Sequence, residues 1–322
     1  MWERIAAFFT AAILGLWGIL GSAVYPAFYR SASPAADIPG LREGFVPQGV
    51  TAAPDTGEIL ISAYRSDEGQ SQLFAVKENG AVRAIPLERP NGEPYTEHAG
   101  GVTTDGKTVF VSSGGSLWYL PLSDVQKAKN GDALRFAGGI AVPCRASFCA
   151  CDGSRLYVGE YHADGYETDE SHRVSCAGGG EYQAMVFAYP LTPELLAGGA
   201  APTAVYAIKD KTQGFAMLPG DRAALSCSGG LKSSELRLYD ASGEADGAFT
   251  LDGKTLPLFV LDAARALSSL RMPPKSEDLE AVGGSLLIGF ESAAGAYGAG
   301  FAPFSVGSVM RCTPPAGDSP VC

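Results

Sequence analysis

The chain repeats itself. Five segments open alike, on a polar or small residue that leads into an apolar β run: Pro47–Ala53 (PQGVTAA), Ala99–Asp105 (AGGVTTD), Ser147–Asp152 (SFCACD), Gln213–Leu218 (QGFAML) and Glu277–Val282 (EDLEAV). Each passes through a turn into a second apolar strand, at Ile59–Tyr64, Val109–Ser113, Leu156–Tyr161, Ala223–Ser228 and Leu286–Glu291. Third strands are expected at Gln72–Val76, Leu117–Pro121, Met185–Tyr189, Glu235–Tyr239 and Gly307–Cys312. Fourth strands are expected at Val82–Leu87, Leu134–Ala141, Ala204–Ile208 and Leu256–Leu261. A unit of this size cannot bury its apolar surface alone, so a repeat of roughly fifty residues is stable only when neighbours stack and the array closes. The reading is all-β: a five-bladed β-propeller, with six blades as the alternative, behind an N-terminal hydrophobic helix. A β-sandwich would not repeat at this period. The last unit runs out of chain after its third strand, and Asp37–Phe45 is expected to supply the outer strand that closes the ring. Helices are expected only between units, at Thr192–Ala197, Asp262–Leu270 and Ser123–Lys129.

Glycine is abundant, 41 of 322 residues, as many tight turns require. Against 24 Lys and Arg stand 35 Asp and Glu, a net charge of −11 with no basic tract, which excludes nucleic acid as the partner. Ile5 to Tyr29 carries no charge, and Ile5–Val24 supplies the ~20 apolar residues that cross a bilayer. The rival reading is a cleaved signal peptide, with Gly21 and Ala23 at the small positions before the cut. Either reading places the rest outside the cytoplasm, membrane-anchored through the N-terminal helix or secreted. The expected organisation is therefore anchor or signal peptide (1–30), linker and ring-closing strand (31–44), propeller (45–312) and C-terminal tail (313–322). Cys144, Cys149, Cys151, Cys176, Cys227, Cys312 and Cys322 include no C-x-x-C pair and suit disulfides in an oxidising compartment. Cys312 with Cys322 and Cys149 with Cys227 are candidate links.

In a propeller, the residues that open the first strand and close the second meet around one mouth of the central channel. Here they are Gln48 with Tyr64 and Arg65, His98 with Ser112 and Ser113, Ser147 with Glu160 and Tyr161, Gln213 with Ser228, and Glu277 with Glu291 and Ser292. The set is polar, whereas the strands behind it are apolar. Gln48, His98, Gln213, Glu277 and Glu291 are the candidate ligand-binding residues. Glu160, Glu277 and Glu291 bring like charges together, which a hard cation such as calcium would relieve. With His98 as a further ligand, zinc is the alternative metal. Polar side chains that only satisfy backbone groups around a wet channel are the competing explanation. The insertion Tyr161–Gln183 carries His162, Asp164, Glu167, Asp169, Glu170 and His172 and is expected to overhang the mouth. Glu160 and His172 are the candidate catalytic bases. Serine-hydrolase elbow, zincin, EF-hand and dinucleotide motifs are absent from the sequence.

The combination FVPQGVT, HAGGVTTDG, RASFCACDGSRLYVGEY with YETDESH, TQGFAM, and MPPKSEDLEAVGGSLLIGFESAAGAY resembles a family of uncharacterised bacterial propellers across Phe45 to Tyr297. The resemblance implies an exported or membrane-anchored protein with no assigned activity. Members of that family carry Glu-Gly where this chain has Glu277-Asp278, a departure that keeps the carboxylate. More distantly, the Gln-Gly strand starts are similar to those of propeller-type glutaminyl cyclases and gluconolactonase-like metal hydrolases, a likeness of fold. Three functions follow as expectations. The first is a cell-surface propeller that binds a small molecule or surface protein at a polar or metal-bearing mouth. The second is a metal-dependent hydrolase or lyase at the same mouth, and the third an interaction propeller with an inert channel.

Overall fold

A computed structural model describes residues 15–17, 19–297 and 302–315. Its strands, in chain order, build five blades in a ring. Strand β1 (Ala32–Asp37) is followed by β2 (Phe45–Ala52), β3 (Ile59–Arg65), β4 (Gln72–Val76) and β5 (Val82–Glu88), the last four forming the first blade from axis to rim. The second blade is β6 (Val102–Thr104), β7 (Thr108–Ser113), β8 (Ser116–Pro121) and, after the short β9 (Leu134–Arg135), β10 (Gly138–Ala141). The third is β11 (Phe148–Cys151) and β12 (Arg155–Gly159), then, beyond the hairpin β13 (Val174–Ser175) and β14 (Glu181–Tyr182), β15 (Ala184–Pro190) and β16 (Ala204–Ile208). The fourth blade is β17 (Thr212–Leu218), β18 (Arg222–Cys227) and β19 (Ser234–Asp240), completed beyond β20 (Gly247–Leu251) and β21 (Lys254–Val260) by β22 (Ala266–Met272). The fifth is β23 (Ser276–Val282), β24 (Ser285–Phe290) and β25 (Ser308–Cys312), with β1 on its outer edge.

The core is divided among the seams between blades. Leu60, Leu73 and Ile85 of the first blade pack on Val102, Val109 and Leu120 of the second. Phe110 and Ile140 meet Val158 and Phe187 of the third, and Phe148 and Tyr157 meet Phe215 and Leu225 of the fourth. Leu236, Leu238 and Met272 meet Leu279 and Ile288 of the fifth, and Leu287 and Val309 return to Val50 and Ile61 of the first. Every seam is apolar, so the second strands of the blades, such as β3, β18 and β24, are buried on both faces and read as hydrophobic runs rather than alternating ones.

Four elements differ from the sequence expectation. The ring closes through β1, antiparallel to β25 from Ala32↔Cys312 to Asp37↔Ser308, not through Asp37–Phe45. An edge strand bonds through its backbone, so Ser33, Pro34 and the alanines serve although they look like a linker. Asp262–Leu270 is not helical: Ala266–Met272 pairs with β19 as the fourth blade's outer strand. The helix preference of its Ala-Ala-Arg-Ala stretch yields to that pairing and to burial of Leu270 and Met272 in the seam. Leu256–Leu261, expected in that place, instead joins the rim of the third blade, where β21 runs parallel to β16. A hairpin turn at Asp252 (φ 49°) and Gly253 (φ 75°) returns the chain into it, both residues in the left-handed conformation that such turns favour. The expected strand Leu134–Ala141 divides, β9 lying parallel to β5 and β10 antiparallel to β8. The helices Leu122–Lys127 and Pro193–Leu196 stand where expected.

Most of the proposed membrane span falls outside the described residues; among those described, no helix is long and apolar enough to cross a membrane. The helix Pro26–Ser31 docks on the propeller through Tyr25 and Phe28, buried in the seam of the fourth and fifth blades. The cysteines described carry no disulfide. Cys149 and Cys227 cannot meet because they lie in different seams, on either side of the third blade. Burial pushes the Cys227 thiol up to about 11. Cys322, the expected partner of Cys312, lies outside the described residues.

Candidate functional site

Inner strands of propellers run toward the axis, and here three of them carry an irregularity at the same place. The register shifts between Pro47 and Val50, between Thr212 and Gly214, and between Ser276 and Leu279. An extra residue in one strand re-aims the side chain it carries. Gln48, Gln213 and Glu277 sit at these shifts, and all three line a cavity of about 670 Å³ at the channel mouth. His98 and Glu291 line the same cavity, so the five ligand-binding candidates read from the repeat come together.

Hydrogen bonds hold them in two adjacent groups, one through Gln48 and one through Gln213. His98 Nε2 lies 2.6 Å from Gln48 Oε1, and Gln48 Nε2 donates to the Pro47 carbonyl (2.9 Å) and to Glu291 Oε2 (3.4 Å). Glu291 also receives Lys275 Nζ on Oε1 and the Tyr297 hydroxyl on Oε2, each at 2.9 Å. The Lys275 ammonium stands 3.3 Å above the centre of the Tyr297 ring. Gln213 Nε2 donates to Glu277 Oε1 at 3.2 Å. Burial, then the neighbouring Glu291, raises the Glu277 carboxyl well above its ordinary range. Tyr64 stacks on the His98 imidazole at 4.0 Å between centroids. Although the His98 ring opens toward the cavity, desolvation within the cup pushes its pKa down to about 4. The imidazole is therefore neutral, and its Nε2–H donates to the Gln48 amide oxygen.

Several lining residues have no place in the repeat. Lys275 precedes β23 in a left-handed conformation (φ 61°), which aims its side chain back over the mouth. Tyr297 comes from the loop after β24 and Tyr166 from the insertion, its ring meeting edge to face that of Tyr161, which the repeat does place at the mouth. Arg145 and the paired glycines Gly114-Gly115 and Gly229-Gly230 complete the wall. The signal for Lys275 was a cation two residues before an acidic strand start; the loop tyrosines carried none.

Glu160 and His172, the candidate bases, take no part in the cavity lining. The insertion folds back so that His172 Nδ1 lies 2.5 Å from Glu160 Oε1, with both residues buried and His172 against Phe187 and Phe249. The second Glu160 oxygen accepts from the Arg145 amide. The pair thus supports the wall from behind. Among the described residues, no three His, Cys, Asp or Glu side chains cluster so as to hold a metal. Of the four candidate metal ligands, His98, Glu277 and Glu291 share the cavity, but His98 is engaged by Gln48 and Glu291 by Lys275, while Glu160 is held by His172 outside the lining.

No family model and no curated protein matches the sequence. Solved structures do. A putative oxidoreductase (glucose dehydrogenase) from Thermus thermophilus is similar at 15% identity and TM-score 0.44, covering 87% of this chain and 98% of that one. The PQQ-bound aldose sugar dehydrogenase of Streptomyces coelicolor is similar at 17% identity and TM-score 0.43, covering 81% and 78%. A protein of unknown function from Bacteroides thetaiotaomicron is similar at 13% and 0.41, covering 88% and 75%.

Proposed function

We propose that this protein is a membrane-tethered, extracytoplasmic propeller that binds a small, ring-bearing polar ligand in the cup at one channel mouth. The carrying observation is the union of two kinds of surface in one cavity. Tyr64, Tyr161, Tyr166 and Tyr297 offer flat aromatic area, while Gln48, His98, Gln213, Glu277 and Glu291 form a cross-braced polar set. Ligand sites characteristically combine apolar walls with a few polar groups held in place. Glu277, braced by Gln213 and with its carboxyl pushed well above the ordinary range by burial, presents oxygens that can accept from a hydroxyl or amine. For the location, support comes from the uncharged Ile5–Val24 run. Within it Leu16, Ile19, Leu20 and Val24 face away from the propeller while Tyr25 and Phe28 are buried against it.

Thermal-shift measurements against neutral monosaccharides, cyclic polyols and primary amines test the reading. A member of one class should raise the Tm of the wild type, and Glu277→Gln and Tyr161→Ala should each weaken its binding at least tenfold. No response in any of these classes would overturn it.

A further inference from the structure

Below the cup, β23 carries two more acids that the cup does not use. Asp278 and Glu280 are two residues apart on the fifth blade's inner strand, and alternation puts such residues on one face, here toward the channel. They are 2% and 4% exposed. The other inner strands leave room for them. Gly49, Gly101 and Gly214 stand at the ring position that Asp278 fills in the fifth blade. A Cβ on Gly101 would come within 2.9 Å of Asp278 Oδ2, and one on Gly214 within 2.9 Å of Oδ1. The carboxyl therefore lies in a cradle that only these glycines permit.

Its oxygens are not satisfied by that cradle. Among the described residues, Asp278 Oδ1, Asp278 Oδ2, Glu280 Oε2 and Thr103 Oγ1 are all buried without a hydrogen-bond partner. The amides of Leu279, Val102 and Val50 are turned toward the Asp278 carboxyl, without the geometry of a full hydrogen bond. Thr103, on β6, lies against Glu280. Orphaned buried polar groups are strongly unfavourable, and buried charges are normally paired or metal-bound. Four unpaired oxygens on one stretch of channel, two carboxyls among them, with no ring nitrogen, match a hard divalent cation rather than zinc. A cavity of about 500 Å³ on the far side of the channel reaches Glu280 and gives an ion a route in, past Asp105 and Asp152, with Arg311 also on its wall.

We infer that Asp278, Glu280 and Thr103 form a calcium-class cation site on the propeller axis, separate from the cup. The full chain, stripped with chelator and titrated with Ca²⁺ and separately with Mg²⁺ by calorimetry, tests this. One ion should bind per chain and raise the Tm. Asp278→Asn and Glu280→Gln should each lower the affinity at least tenfold, while Glu277→Gln in the cup leaves it within about twofold. Circular dichroism identifies any variant that fails to fold, and Glu280→Gln alone then carries the comparison. Absence of heat and of Tm change up to about 5 mM of either ion would overturn the site, as would binding that persists in the folded variants. Binding lost in Glu277→Gln and kept in Asp278→Asn would also overturn it, by moving the ion to the cup.

Discussion

At the scale of residues, His98 decides the direction of the polar network. An imidazole with a proton on Nε2 donates to Gln48 Oε1 and frees Gln48 Nε2 to reach Glu291, so the orientation of one amide depends on one tautomer. By NMR, the His98 ring should stay neutral from pH 8 to pH 5 and titrate near pH 4. The unfolded chain takes up this proton at about pH 6.5. Between these values the native state binds fewer protons, so the contribution of this residue to stability is present above pH 6.5 and is lost as pH falls toward 4. His98→Gln should flatten that part of the profile of Tm against pH. A midpoint above pH 6 would contradict the desolvation of the ring within the cup. The five cup residues of the repeat were legible because propeller geometry assigns strand openings and closings to one mouth. Lys275, Tyr166 and Tyr297 were not, because a left-handed backbone and two loops bring them there.

At the scale of elements, the inner strands are constrained by space more than by propensity. Gly101 needs no special φ; its backbone lies so near β11 that a Cβ would stand 2.5 Å from the Cys149 nitrogen and 2.7 Å from the Phe148 Cα. Backbone cannot yield there without parting β6 from β11. Gly101→Ala should therefore cost more than about 3 kcal/mol in urea unfolding. At Gly178, where the nearest atom to a Cβ is 4.0 Å away, the same change should stay within about 0.5 kcal/mol. Equal effects at the two positions would refute the close approach. The misread elements share a cause. Ala266–Met272 and Ala32–Asp37 are edge strands, whose sequences answer to one neighbour and to solvent rather than to two apolar faces. Their local composition therefore speaks for helix or linker, and their partners decide otherwise.

At the scale of the molecule, β1 carries the ring closure: it joins the beginning of the chain to the last blade and covers the edge of β25. Uncovered, that edge is a template for pairing between chains. A chain starting at Ile38 should melt at a lower temperature than one starting at Ser31, and should form concentration-dependent aggregates on size exclusion. Equal melting and equal dispersity would show that the seam between the fifth and first blades holds without its edge. The same closure brings Gln48 of the first blade to Glu291 of the last, residues at opposite ends of the repeat array.

What the sequence determined by itself was the module, its number and the five cup residues of the repeat, because a period in apolar strands and turns is a local property that survives any detail of packing. Tertiary structure decided the rest. It turned His172 onto Glu160 and away from the mouth, kept Cys149 and Cys227 in separate seams, and set Asp278 in a space left by glycines of other blades. These outcomes depend on which atoms of distant strands come within a few ångströms of each other. Only the closed ring specifies that distance.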